Sequence, residues 1–174
     1  MIARAHIRPA LAGFALTAAA LVGAQHLAAQ SIAGHNSNAP VDYAADRIEL
    51  QDKQQRVVLS GNVKITQAGL NIAAARVTVA YTNTGSLQIQ RIDATGGVTV
   101  TRGGERASGN VAVYDFNRRI ITMSGNVKLN RSGDTLNGGR LVIDLRSGLS
   151  SVDGSGGSGG RDGRVSGSFS VPNN

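Results

Sequence analysis

Between Val41 and Leu145 apolar residues alternate with polar ones, and the alternation returns along the chain. Val57, Leu59, Gly61, Val63 and Ile65 share one parity, with Ser60, Asn62 and Lys64 on the other. The arrangement comes back as Ile92, Ala94, Gly96, Val98 and Val100, and again as Ile121, Met123, Gly125, Val127 and Leu129. Period two predicts strands with one apolar face. A helix would need apolar residues at i, i+3, i+4 and i+7, and no stretch between Val41 and Leu145 supplies them. Turn residues fall between the runs, at Gln67-Ala68-Gly69, Asn83-Thr84-Gly85, Arg102-Gly103-Gly104, Asn117-Arg118, Arg131-Ser132-Gly133 and Arg146-Ser147-Gly148. The expectation is roughly ten to twelve short-turned strands.

Two phrases recur. Leu59-Ser60-Gly61-Asn62-Val63-Lys64-Ile65 is echoed by Met123-Ser124-Gly125-Asn126-Val127-Lys128-Leu129, with a weaker copy from Ala94 to Val100. Its Gly marks a place where a strand bends or bulges. The second phrase is Asp46-Arg47-Ile48-Glu49-Leu50, with copies around Val77, Val111 and Leu141. Aligned on Ile48, Val77, Val111 and Leu141, its spacings are 29, 34 and 30 residues, a repeat architecture. Val77 and Val79, Leu87 and Ile89, Val111 and Val113, and Leu141 and Ile143 complete the inward set on this alignment.

Faces of this kind must be buried against another sheet, so the fold class is all-β. A flattened jellyroll or sandwich fits, and so does a β-solenoid. The interior is slim, built of branched aliphatics and Gly. Tyr43, Tyr81, Tyr114, Phe116 and Phe169 are the only aromatic residues after position 29. A core packed shut and a core that leaves a methyl-lined groove are both compatible with that composition.

The ends read differently. Arg4 and Arg8 precede an uncharged Ala- and Leu-rich run to Val22, and small residues follow at Val22-Gly23-Ala24 and Ala28-Ala29. This is the layout of a cleavable signal peptide over 1–29, and its apolar part falls short of the ~20 residues that span a bilayer. Residues 30–40 read as a polar linker in which a lone His35 has no metal-binding company. The β domain is expected over 41–150. Residues 151–174 read as a Gly/Ser-rich flexible tail, in which 164–171 alternates again and fits either a last strand on a tether or a disordered end. Gly154, Gly156 and Gly159 match G-x-G-x-x-G, but no strand-then-helix context makes that a dinucleotide site.

Composition narrows the chemistry. The chain has 18 basic and 11 acidic residues, a formal charge of +7, which becomes +5 without Arg4 and Arg8. That balance suits a solvated surface or an anionic partner. There is no Cys, and His35 is the one His outside the signal, so neither a nucleophile–base pair nor a metal site is expected. The acidic residues are scattered and there is no phosphate-binding loop. Basic residues are not interleaved with exposed aromatics, which speaks against nucleic acid. No catalytic residue, cofactor or metal is expected; binding or scaffolding is.

Ala-Asp-Arg-Ile-Glu-Leu (45–50), Leu-Ser-Gly-Asn-Val-Lys-Ile (59–65), Tyr114-Asp115 followed by Ile121 to Val127, and Gly139 to Asp144 together resemble the OstA-like family. The resemblance covers about Val41 to Leu145; the Gly/Ser-rich tail departs from it. It implies an open β-jellyroll of repeated antiparallel strands in the periplasm of a Gram-negative bacterium. It implies lipopolysaccharide as ligand, with lipid A acyl chains in the interior, and edge-to-edge contacts with further copies and with inner- and outer-membrane jellyrolls of a transport machine. Val63, Ile65, Val77, Val79, Val98, Val100, Val111, Val113, Val127, Leu129, Leu141 and Ile143 would line that interior. The competing readings are a polymerising solenoid without lipid, the inner-membrane-anchored relative in the same machine, and a carboxylate-dependent hydrolase.

Overall fold

The computed structural model describes Ile32, residues 35–154 and residues 163–171. The expected signal peptide and most of the Gly/Ser run lie outside these. The strands are β1 (Asp42–Ala44), β2 (Arg47–Gln51), β3 (Arg56–Gln67), β4 (Leu70–Asn83), β5 (Leu87–Arg102), β6 (Glu105–Asp115), β7 (Ile120–Arg131), β8 (Asp134–Asp144), β9 (Ser150–Asp153) and β10 (Ser166–Ser168). Strands β3 to β8 form one antiparallel meander. β2 and β1 share the outer edge of β3, and β9 and β10 share that of β8, so the sheet has two ends and does not close. No α-helix occurs among the described residues; Asp52–Gln54 is a single 3-10 turn.

The recurring Gly phrase is the structural hinge of this sheet. Gly61 and Asn62, Gly96 and Gly97, and Gly125 and Asn126 all have positive φ. The ladder slips at each pair: between Ser60 and Val63 on β3, Thr95 and Val98 on β5, and Ser124 and Val127 on β7. Two residues of the odd strand face one residue of its even neighbour, which is a β-bulge. The bulges line up across the sheet and divide every long strand into two halves.

The sheet folds over along that line. Tyr114 Oη donates a hydrogen bond to Gln67 Oε1 at 3.2 Å. In a flat sheet these residues would lie far apart. Tyr114 sits level with Ile92, Val79 and Val57 through the ladder, ten residues up β3 from Gln67 and three strands across. At ~3.3 Å per residue and ~4.8 Å per strand that separation is on the order of 35 Å. Only strands bent back at the bulges bring the two together. The two halves thus face one another, and the sheet supplies its own second layer. Leu59, Val77, Ile92, Val98, Ile121, Met123, Leu141 and Ile143 meet in one buried cluster. This is the open β-jellyroll expected from the sequence.

Three expectations need correction. Val111 and Val113 lie on the outer face, Val111 exposed and Val113 half-buried, and Ala112 and Tyr114 point inward instead. The cause is the one-residue slip between Ser108 and Val111, which reverses the parity of β6. Within the stretch read as a polar linker, Ile32 and His35 are buried, 1% and 8% exposed, while Asn36, Asn38 and Pro40 are exposed. The tail is not wholly apart from the domain, since β9 and β10 both pair with β8 and Val152 packs against the core. The described last strand is three residues long, shorter than the alternating stretch 164–171.

Candidate functional site

The inner faces of the folded sheet form the candidate site. Ten of the twelve residues expected to line it are buried there: Val63, Ile65, Val77, Val79, Val98, Val100, Val127, Leu129, Leu141 and Ile143. Long strands β3, β4, β5, β7 and β8 each contribute such residues, and β6 adds Ala107, Ala112 and Tyr114. The parity that builds this face is set by the bulges, so each strand crosses the fold line and stays inward on both sides of it.

The interior is shut in the middle and open at its two ends. Val41, Ile65, Gln67, Leu70, Ile72, Ile92, Tyr114 and Phe116 close on one another without room for a water. Tyr114 and Phe116 stack there with ring centroids 4.0 Å apart. At the β1–β2 end an apolar groove of about 280 Å³ runs between Tyr43, Ile48, Leu50, Val57, Val79, Leu87 and Ile89. Tyr43, Leu50 and Leu87 are more than half exposed on it. At the β9–β10 end a groove of about 360 Å³ is lined by Leu129, Leu136, Val152, Val165 and Phe169, with Arg131 and Asp134 at its rim. Leu87 was expected inside and stands at a mouth instead.

A polar cluster joins the facing halves where they meet. Gln67 lies on the inward parity of Val63 and Ile65 and is 3% exposed. Its Oε1 accepts from Tyr114 Oη and is 2.8 Å from His35 Nε2. Its amide donates to the carbonyls of Ala39 at 2.8 Å and Ser37 at 3.1 Å. Nearby, Glu105 is 7% exposed, pairs with Arg131 and accepts from the Ile32 amide at 2.9 Å. Arg102 Nη1 donates to the Ile32 carbonyl at 3.5 Å. Residues 32 and 35–40 therefore lie across the seam between the halves, and Arg119 reaches Asn38 Oδ1 from the other lip.

Sequence reasoning missed Ile32, His35, Gln67 and Tyr114 as members of this site. The signal for Gln67 was available, because it continues the parity of β3 to its last residue. Nothing comparable marks Ile32 or His35, whose partners lie 73 and 32 residues away.

Burial pushes the His35 imidazole below its ordinary 6.5; the Gln67 hydrogen bond opposes the shift and the Arg102 charge adds to it. Burial likewise raises the Tyr114 phenol. Arg102 is the charge that acts on His35; Arg119 reaches Asn38 of the same segment, and Glu105, which holds the Ile32 amide, pairs with Arg131. A lowered folded value means that the unfolded chain binds the proton more readily. The contribution of neutral His35 is thus fully present above about pH 6.5 and is lost as pH falls through the lowered folded value. Melting temperature should fall between pH 7 and pH 5 in the wild type. His35→Gln, which keeps a hydrogen-bonding side chain and does not titrate, should flatten that slope. An unchanged slope would place the titration elsewhere.

The described residues contain no group of three His, Cys, Asp or Glu side chains that could hold a metal. What the arrangement offers is an extended aliphatic face with a polar seam, which suits holding apolar chains.

Comparison with known proteins agrees with this architecture. Residues 44–149 match the family described as LptA/(LptD N-terminal domain) LPS transport protein. An uncharacterized protein of Rhizobium meliloti (strain 1021) is 25% identical over 129 residues, 70% of this chain and 69% of that protein. Among solved structures, the fold is similar to the crystal structure of LptH, the LptA-homologous periplasmic component of the lipopolysaccharide transport device of Pseudomonas aeruginosa. The TM-score is 0.68 at 20% identity, over 79% of this chain and 99% of LptH. The family match spans the folded meander and its hinge line, and on it the chain belongs to the LptA/LptD N-terminal domain family of lipopolysaccharide transport proteins.

Proposed function

We propose that this protein carries lipopolysaccharide through the periplasm, with lipid A acyl chains held between the two inner faces of the folded sheet. One observation carries the reading: every long strand contributes to a single aliphatic face that opens at both ends into apolar grooves. Transfer of a multi-acyl lipid through water is opposed by about 0.8 kcal/mol per exposed CH₂. A trough lined by Val63, Val98, Val127 and Leu141 removes that exposure, while the phosphorylated head group stays outside among Lys and Arg side chains.

The ends of the sheet fit a chain of carriers. Among the described residues, β1 and β2 pair only with β3, and β9 and β10 only with β8, so the outer backbone groups of each take no strand partner there. Unpaired edges are a hazard unless a partner strand takes them. Further copies, or the inner- and outer-membrane jellyrolls of the machine, would pair there and join groove to groove. Tyr43, Leu50 and Leu87 at one end and Phe169 and Val171 at the other are exposed apolar residues that such contacts would cover.

The test is extraction of the purified exported chain for bound lipid, followed by displacement with excess lipid A. Stoichiometric lipopolysaccharide that lipid A displaces is the expected result. A folded protein that carries none and takes up none would contradict the reading.

A further inference from the structure

Residues 32 and 35–40 occupy the seam through which a lipid would enter, and side chains rather than a strand ladder hold them there. Ile32 joins the apolar cluster as if it were a strand residue, yet its own amide and carbonyl are held by Glu105 and Arg102 rather than by a ladder. His35 fills the space beside Tyr114, ring centroids 6.3 Å apart, and shares Gln67 Oε1 with it. Two main-chain carbonyls of the segment depend on one side chain, the Gln67 amide. His35 Nδ1 is buried with no partner, a cost that a permanent structural element would be expected to avoid. The segment places Ile32 and His35 in the interior and is held there by the Gln67, Glu105, Arg102 and Arg119 side chains. That is the construction of something that closes and is released.

We propose that this segment is a strap that competes with lipid: it shuts the jellyroll in the unloaded protein and swings out when acyl chains enter. The proposal rests on the lipid-carrying reading above and adds to it how loading is controlled. The packing supports it. The interior is packed shut where Ile65, Ile72, Ile92, Tyr114 and Phe116 meet with no room for a water, and Gln67 of the same group is the side chain that holds the strap. Ile32 and His35 are the groups whose departure exposes the inner face without breaking a strand pair. Once they have gone, Gln67 and Arg102 turn from holding strap backbone to facing the seam. An amide and a guanidinium there suit the ester, amide and phosphate oxygens at the root of the acyl chains.

A strap of this kind reduces apparent affinity by the fraction of molecules in which it is open. The decisive variant combines Ile32→Asp, which sets a carboxylate against Glu105, with His35→Ala; Lys64→Ala on the outer face is the control. Binding of hexa-acylated lipid A should tighten about tenfold in the double variant, and the unloaded variant should brighten an apolar fluorescent dye several-fold over wild type. Unchanged or weaker lipid A binding with unchanged dye emission would overturn the strap. If neither protein binds lipid A while dye emission rises, the strap stands as a closure and the lipid reading falls. Hydrogen exchange on the wild-type protein gives an independent readout. The Ile32 amide, protected by Glu105, should exchange faster once lipid A is bound. Undiminished protection in lipid-saturated protein would also overturn the proposal.

Discussion

Val98→Asp and Val127→Asp will fail to fold or will lose all lipid uptake, whereas Lys64→Ala will behave as wild type. Val98 is 1% and Val127 2% exposed, each immediately beyond a bulge on the inner face. A carboxylate at either place sits within the buried aliphatic cluster. An unpaired buried charge costs about 3–5 kcal/mol, against a total of roughly 5–15 kcal/mol for a domain. Lys64 is exposed on the opposite parity of β3, and removing it should change stability by no more than about 0.5 kcal/mol. Thermal melts followed by circular dichroism decide the matter. Equal damage from all three changes would mean that the inner and outer faces are wrongly assigned.

The second large effect is expected at the hinge line. Gly96 has φ +85°, and a Cβ there would lie 2.7 Å from the Ala75 Cβ on the next strand. Gly96→Ala meets two separate penalties: roughly 1–2 kcal/mol for a left-handed backbone, and about 1–3 kcal/mol for overpacking. Ala75→Gly combined with Gly96→Ala removes the collision and leaves the backbone term. The double variant should therefore recover part of the lost stability, never all of it. Full recovery would show that the positive φ is not required and that the strand does not need its bend. The same logic holds at Gly61, where a Cβ would meet Asp46 of the β1–β2 link, and at Gly125, where it would meet Asn110 of β6; Gly97 alone of the four hinge glycines has open space around it.

These hinge contacts also explain what the sequence could and could not disclose. The odd strands were legible because their bulge holds two residues, Gly-Asn or Gly-Gly. Two extra residues preserve parity, so Val57 to Ile65, Ile92 to Val100 and Ile121 to Leu129 read straight through. The even strands place one residue opposite each bulge, namely Ala75, Asn110 and Gly139, and one residue inverts parity. No single residue type marks that position. The second phrase was aligned on Val111, where the structure aligns Ala112. On Ala112 the spacings from Ile48 through Val77 to Leu141 become 29, 35 and 29. The repeat stays uneven on this alignment, while the inward set of β6 becomes Ala112 and Tyr114 in place of Val111 and Val113.

The seam lay beyond that kind of reading. Ser-Ile-Ala-Gly-His-Asn-Ser-Asn-Ala-Pro is a linker by composition, yet its Ile32, Ser37, Asn38 and Ala39 are held by Gln67, Arg102, Glu105 and Arg119. Those residues reach it only because the sheet folds back on itself. Periodicity reports which face of a strand is apolar; it does not report which distant segment that face will cover.

The central claim is that acyl chains lie between the inner faces, and site-specific photocrosslinking tests it most directly. A photoreactive residue placed at Leu129 or Ile143, both buried inside, should give a lipopolysaccharide adduct in cells. One placed at Lys64 or Lys128, both exposed outside, should give none. Adducts from the outer positions, with none from the inner ones, would contradict the account and move the lipid to the surface of the sheet.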